Sequence, residues 1–219
     1  MTDYAQCYRE FRGRVRGLVG ELDAEQLEMI APATPEWRVR DIVAHLAGIP
    51  ADILSGNIDG VATDAWTAKQ VDDRRDWPFE EVLRQWEESG RAIEPLVAAF
   101  PEAAVQQMLA DAATHEHDIR GALGRPGARD SDALAVGFVF VTGAVGAPLI
   151  FETDAGTFAG GPKGEPVATV HADRFELFRA MTGRRTYDQI RAFGWDGEPQ
   201  PEAVVVQPIF TARTDALVE

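Results

Sequence analysis

Apolar residues recur every three or four positions through most of the first 130 residues, the spacing that lines one face of a helix. Four segments show it: 3–22, 36–48, 78–100 and 101–124. Pro78 and Pro101 stand at two predicted helix starts, whereas Gly48 followed by Pro50 indicates a helix end. Residues 51–77 mix short helical signals with turn residues and are interpreted as a long connection. Four helices with short or medium connections predict a four-helix bundle.

The pattern changes after residue 130. A fifth helix is predicted from Asp132 to about Gly143, and two short apolar runs flank Asp154-Ala155-Gly156, a hairpin signal. A further strand is predicted at 167–171 and an amphipathic helix at 173–181. The sequence therefore predicts an α+β protein, with a helical bundle over residues 1–130 and a small α+β domain over 131–219. The boundary is expected between 130 and 147.

One uncharged stretch, 133–151, is almost long enough to span a bilayer. It contains three glycines and a proline, has acidic flanks, and lacks the aromatic and basic flanking residues of a membrane helix. We interpret it as a buried helix that runs into a strand, and predict no membrane span.

Charge and cysteine content restrict the class of protein. The formal net charge of −15 argues against nucleic acid or anionic membrane as partners, since both require a basic surface. The single cysteine, Cys7, excludes an internal disulfide and a cysteine-based zinc site. The first residues lack the pattern of a secretory signal peptide. We therefore expect a cytoplasmic protein.

Three residues have the chemistry of a metal site. Asp111 and His115 are four apart on a predicted helix, so their side chains share one face, and His45 lies on another predicted helix. Two imidazoles and one carboxylate form a facial site with open coordination positions, which suits catalysis. Taken separately, Asp111 and His115 are more typical of a surface pair, and His45 of a hydrogen-bonded core histidine, but together with the sequence around them they favour the metal site.

The surrounding sequence resembles a known family. The segment Thr34-Pro-Glu-Trp-Arg-Val-Arg-Asp-Ile-Val-Ala-His-Leu-Ala47 closely resembles the second-helix motif of the mycothiol-dependent maleylpyruvate isomerase family, a group of DinB-like metal-binding four-helix bundles. The segment from Asp111 to Pro126 is similar to the second signature of that family. The segments 182–186 and 195–199 are similar to C-terminal segments of many actinobacterial members. The resemblance thus covers both halves of the chain.

This resemblance implies that His45, Asp111 and His115 bind a divalent metal, usually zinc in that family. The family acid is usually glutamate, so the shorter Asp111 must approach the metal from a closer backbone or through a water. Asp118 is three residues beyond His115 and is expected to support that ligand. His117 points about 200° around the helix from His115 and is expected to face solvent or cap. His171 is expected to lie outside the site.

Two arginines follow the helix predicted at 173–181. Arg184 and Arg185 either stabilise the negative end of the helix dipole or bind a carboxylate of the substrate or the thiol. The sequence leaves both roles open.

The resemblance also implies a reaction. A divalent metal with open positions lowers the pKa of a bound thiol, and the thiolate attacks an electrophile. The leading hypothesis is thus a metal-dependent isomerase or S-transferase that uses mycothiol or a similar thiol on a small electrophilic substrate. No residue is assigned as catalytic. A non-catalytic DinB-like stress protein that binds metal or a small ligand is the alternative, and a metal-dependent hydrolase is a third possibility. A homodimer is expected from the resemblance alone.

Overall fold

The computed structural model describes residues 2–219. Its helices are α1 (Tyr4–Val19), α2 (Ala24–Leu27), α3 (Val39–Ser55), α4 (Asp64–Asp72), α5 (Phe79–Ile93), a 3-10 helix (Glu94–Ala99), α6 (Glu102–Leu123), α7 (Asp132–Thr142), α8 (Arg174–Met181), α9 (Tyr187–Arg191) and α10 (Pro201–Val204). Its strands are β1 (Ile30–Ala31), β2 (Thr34–Arg38), β3 (Leu149–Thr153), β4 (Gly156–Gly160), β5 (Ala168–His171) and β6 (Gly194–Asp196). The predicted α+β class is confirmed.

The chain divides into two compact units. The N-terminal unit comprises the residues up to Val105 together with His115–Gly127, and the C-terminal unit comprises Gln106–Thr114 and Ala128–Glu219. Helix α6 is continuous and contributes residues to both. The predicted domain limits, 1–130 and 131–219, remain a prediction, because they concern parts that fold independently.

The N-terminal unit has the predicted bundle helices α1, α3, α5 and α6, with α4 and a short β-hairpin added. Phe11 of α1 meets Trp86 of α5 edge to face, with ring centroids 5.9 Å apart, and both side chains are buried. A charged contact ties α6 to α1, since the buried Glu116 accepts hydrogen bonds from Arg14 of α1 and from Arg120 of its own helix. That contact holds the part of α6 that carries His115 against α1.

Helix α3 differs from the prediction at both ends. It begins at Val39 rather than near Glu36, because 34–38 pair with β1 as strand β2. It also continues through Gly48 and Pro50 to Ser55, where the sequence predicted an end. Pro50 cannot donate to a helical carbonyl, which normally disfavours a helix interior. Here both Gly48 and Pro50 are buried, so tertiary packing outweighs the local signal.

The start of α3 is fixed by a charged cap. The carboxylate of Asp41 accepts from the backbone N–H of Arg38 at 2.9 Å and from two guanidinium nitrogens of Arg38 at 2.7 Å each. Burial alone would raise the pKa of Asp41, but the hydrogen bonds from Arg38 favour the charged form and lower this pKa below its usual value.

The C-terminal unit has a four-stranded sheet in the order β4-β3-β5-β6. The β3–β4 hairpin is antiparallel, β3 and β5 are parallel, and β5 pairs with β6 antiparallel. Apolar side chains of the sheet and of α7 and α8 are buried in this unit: Leu149, Phe151, Val170, Phe138, Leu177 and Phe178. The predicted fifth helix, hairpin, strand and following helix are all present.

The uncharged stretch 133–151 forms most of α7 and the start of β3. Within residues 2–219, no helix is both long enough and apolar enough to cross a membrane.

Candidate metal centre

His45, Asp111 and His115 come together in space. Each offers one possible ligand atom, and these atoms all lie within 4.8 Å of one another. His45 lies on α3 and is 2% exposed, while the other two lie one turn apart on α6. The rings of His45 and His115 have centroids 5.0 Å apart and are nearly perpendicular. The three residues that the sequence singled out as a group are thus neighbours.

A carboxylate holds the ring of His115. Its Nδ1 lies 3.0 Å from Oδ2 of Asp118, whose side chain is fully buried. An ionised carboxylate only accepts hydrogen bonds, so the imidazole proton belongs on Nδ1 and the lone pair on Nε2. This is the common arrangement for a histidine that binds metal through Nε2. Asp118 thus contacts His115, and its role in supporting a metal ligand stays a prediction.

A second chain of hydrogen bonds holds His45, and the sequence analysis missed it. Gln70 of α4 donates from Nε2 to Oδ2 of Asp52 at 2.8 Å, which turns its Oε1 towards Nδ1 of His45 at 2.7 Å. Because this amide oxygen can only accept, Nδ1 of His45 carries the proton and Nε2 keeps its lone pair. Both histidines thus present the same ring nitrogen.

Gly48 makes room for Gln70. A Cβ atom built on Gly48 would lie 2.7 Å from both Cβ and Cγ of Gln70, closer than real side chains approach. Gly48, which the sequence indicated as part of a helix end, therefore lies inside α3 one turn after His45, where Gln70 packs against it. Gln70 lies in the segment interpreted as a connection, and a lone glutamine gives no chemical signal in a sequence.

Trp37 covers one side of the two histidines. Its ring centroid lies 5.3 Å from that of His45 and 5.4 Å from that of His115, and it stacks on the latter. Trp37 falls within the segment 36–48 predicted as a helix, whereas it lies in strand β2. Its half-buried ring therefore supplies apolar surface beside the two histidines of the candidate metal centre.

The other two histidines lie outside this group. The expectation that His117 faces solvent or caps is wrong, because the residue is 3% exposed within α6, which is buried on several sides. His171 is exposed in the C-terminal sheet, where its Nε2 lies 2.9 Å from Oδ2 of Asp196.

Arg184 and Arg185 are both buried. The guanidinium of Arg185 makes a two-point contact with Glu176 and also reaches Glu219 at 3.0 Å. Arg184 donates to the carbonyl of Thr182 and lies over the ring of Phe210. These contacts favour a structural role within the C-terminal unit, and recognition of a substrate or thiol carboxylate stays a prediction.

The cluster fits a divalent metal by its donor chemistry. Two imidazoles with lone pairs on Nε2 and one carboxylate suit zinc and related divalent ions. Zinc bonds of about 2.0–2.2 Å hold two ligand atoms of one ion roughly 3–4 Å apart. The separations of the three possible ligand atoms, all within 4.8 Å, approach this range.

The fold and the cluster together define a class: an α+β protein whose helical bundle carries a histidine–carboxylate group suited to a metal. The family model of the mycothiol maleylpyruvate isomerase N-terminal domain matches residues 8–138, which are 131 of the 219 residues. The chain belongs to this family, and the predicted resemblance is confirmed.

A solved structure supports the fold. The chain is similar to the crystal structure of a histidine-to-alanine mutant of the mycothiol-dependent maleylpyruvate isomerase, with a TM-score of 0.57 and 10% sequence identity. The match covers 84% of this chain and 90% of that one. At this identity the likeness concerns the fold alone. No curated protein sequence matches the chain.

Proposed function

We propose that this protein is a divalent-metal enzyme that uses a low-molecular-weight thiol, mycothiol or a close analogue, to isomerise or conjugate a small electrophile. The observation that carries the proposal is the convergence of His45, Asp111 and His115 within 4.8 Å. Membership of the mycothiol maleylpyruvate isomerase N-terminal domain family supports the choice of thiol and of reaction class.

His45, Asp111 and His115 are the residues that would hold the metal. A bound divalent ion would supply Lewis acidity and lower the pKa of a thiol, which prepares it to add to an activated double bond. Two imidazoles and one carboxylate leave coordination positions for such a thiol and for the substrate.

Three further residues, Asp118, Gln70 and Trp37, would position the two histidines. Asp118 would keep the proton of His115 on Nδ1, and Gln70 would do the same for His45, so that Nε2 is the nitrogen each ring would offer to the metal. Trp37 packs against both rings, which would help to fix their orientation. The contacts of Asp118 and Gln70 with the two histidines are buried.

Thiol-dependent turnover is the decisive experiment. The protein, purified without chelators, is assayed on maleylpyruvate and on a general electrophile, each with and without added mycothiol. We expect turnover that requires the thiol and that disappears in His45→Ala. A Trp195→Phe variant serves as control, because this tryptophan donates to the carbonyl of Ile190 in the C-terminal unit.

The rival functions make different predictions. Turnover that ignores the thiol would indicate a metal-dependent hydrolase. A stoichiometric metal with no turnover, together with tight binding of a small ligand, would indicate a non-catalytic binding protein. Either result would overturn the proposal.

A further inference from the structure

A cavity of about 550 Å³ opens on the N-terminal unit between α1, α5 and the 3-10 helix. Its charged lining consists of four arginines and two glutamates: Arg9, Arg12, Arg16, Arg91, Glu87 and Glu94. None of these residues belongs to the candidate metal centre. The volume falls within the range of small-molecule sites.

The charge of this lining is opposite to that of the chain. Four guanidinium groups and two carboxylates give a formal charge of +2, whereas the whole chain carries −15. Each guanidinium has five N–H donors, more in total than two carboxylates can accept. The glutamates are shared, because Glu94 contacts both Arg9 and Arg12, while Glu87 contacts the other arginines as well as Arg12. A dianion would balance the charge of the lining.

Arg12 is held in place before any ligand arrives. Its side chain is 7% exposed and contacts Glu87 at 3.2 Å as well as Glu94. Its guanidinium also lies 5.6 Å from the centre of the Tyr8 ring. The same side chain lies against Gly90 of α5, where a built Cβ would come within 2.6 Å of the Arg12 Cδ atom. Arg12 is thus a fixed cation in the cavity wall.

The other three arginines are far more exposed than Arg12. The side chains of Arg9, Arg16 and Arg91 are 58%, 49% and 74% exposed. Exposed ion pairs of this kind contribute little to stability, so their guanidiniums can turn towards a ligand at small cost. A rigid cation flanked by adjustable ones suits an anion with several oxygen atoms.

We propose that this cavity binds a small dianion, either a phosphate ester or a dicarboxylate. The planar fork of a guanidinium donates two parallel hydrogen bonds to the oxygens of such groups. The proposal is independent of the metal centre and of the reaction proposed above.

The test is a titration of the 15N-labelled protein with inorganic phosphate and, separately, with succinate, at constant ionic strength. The Nε–Hε signals of the cavity arginines report binding. We expect a saturable shift of the Arg12 signal. Tighter binding of phosphate would identify the phosphate-ester class, and tighter binding of succinate the dicarboxylate class.

Two variants make the test specific. The double variant Arg16→Gln, Arg91→Gln should weaken binding at least about tenfold, since each charge-assisted hydrogen bond contributes strongly. Arg84→Gln is the matched control, because Arg84 is an exposed arginine of α5 outside the lining, paired with Glu81 and Glu88. The affinity of the Arg84→Gln variant for either anion should not change. Should the double variant misfold, Arg91→Gln alone, at the most exposed position, replaces it.

Absence of a saturable shift with either anion would overturn the proposal and leave the cluster as an ion-pair network. An equal loss of affinity in Arg84→Gln would overturn it as well, because binding would then follow overall charge. Metal content is measured on the same samples, so that a failure of the cavity proposal is distinguished from a failure of the proposed metal site.

Discussion

The Oδ2 atom of Asp118 lies 3.0 Å from Nδ1 of His115, three residues earlier on the same helix. Both side chains are buried, so this contact is protected from water. It favours the imidazole proton on Nδ1 of His115, so that Nε2 would be the atom that binds the proposed metal, and it makes the orientation of this ring depend on Asp118.

Replacing Asp118 by Asn tests this dependence. The amide can present an N–H to Nδ1, which would move the imidazole proton to Nε2, the atom needed for binding. We expect zinc affinity to fall about 10- to 100-fold, as is usual when such a partner is lost. Competition with a chromogenic chelator measures the affinity. Unchanged affinity would show that the tautomer of His115 does not matter.

Replacing His115 by Ala removes a proposed ligand. We expect metal retention after mild purification to disappear while the far-ultraviolet circular dichroism spectrum stays the same, because the ligand is not part of the apolar core. Elemental analysis by mass spectrometry gives the metal content. His171→Ala is the control, since His171 lies in the C-terminal sheet. A full metal complement in the His115 variant would contradict the assignment.

Gly48→Ala and Gly17→Ala should change the stability of the protein in opposite directions. Both glycines lie inside helices, where alanine is favoured by about 0.5–1 kcal/mol. Nothing lies within 4 Å of a Cβ at Gly17, so Gly17→Ala should stabilise the protein. Gly48→Ala would collide with Gln70 and should destabilise it by about 1–3 kcal/mol, the usual cost of overpacking.

Urea denaturation measures both free energies of unfolding. The 15N shifts of the His45 ring provide a second measurement, because the displaced Gln70 would no longer hold the proton on Nδ1. Two variants of equal stability would show that Gln70 moves aside without cost.

The Arg38–Asp41 pair predicts a pH dependence of stability. The pKa of Asp41 is lowered in the folded protein, against an ordinary value of 3.8. The folded state therefore binds the proton less readily than the unfolded state. The stabilisation is fully present above about pH 4 and is lost as the pH falls towards the folded pKa.

Asp41→Asn isolates this contribution. We expect the variant to be less stable than the parent at pH 7 by about 1–2 kcal/mol, since it loses a charged cap and hydrogen bonds to a guanidinium. The difference should shrink as the pH falls below 4. Urea denaturation at pH 7, 5 and 3 measures it. A difference that is constant with pH would mean that the charge of Asp41 contributes nothing.

Periodicity and spacing predicted much of this molecule. The helical period located the bundle helices, and the hairpin signal around Ala155 located β3 and β4, because these patterns report local geometry. The spacing between Asp111 and His115 placed both on one helix face for the same reason.

Long-range contacts were beyond the reach of such patterns. Pro50 and Gly48 are local helix-ending signals, yet α3 continues because packing buries them. The approach of His45 to His115, and of Trp37 to both, depends on how separate elements meet.

The sequence by itself determined most helices and strands of both parts, the acidic charge and the residues chemically able to bind a metal, since each is a property of single residues or of neighbouring ones. The contact of Asp118 with His115 follows from their spacing on one helix, whereas only the tertiary structure decided which nitrogen of His45 faces Gln70, because these two residues lie 25 positions apart along the chain. A hydrogen bond between distant segments exists only once the chain has folded, and no local pattern encodes it.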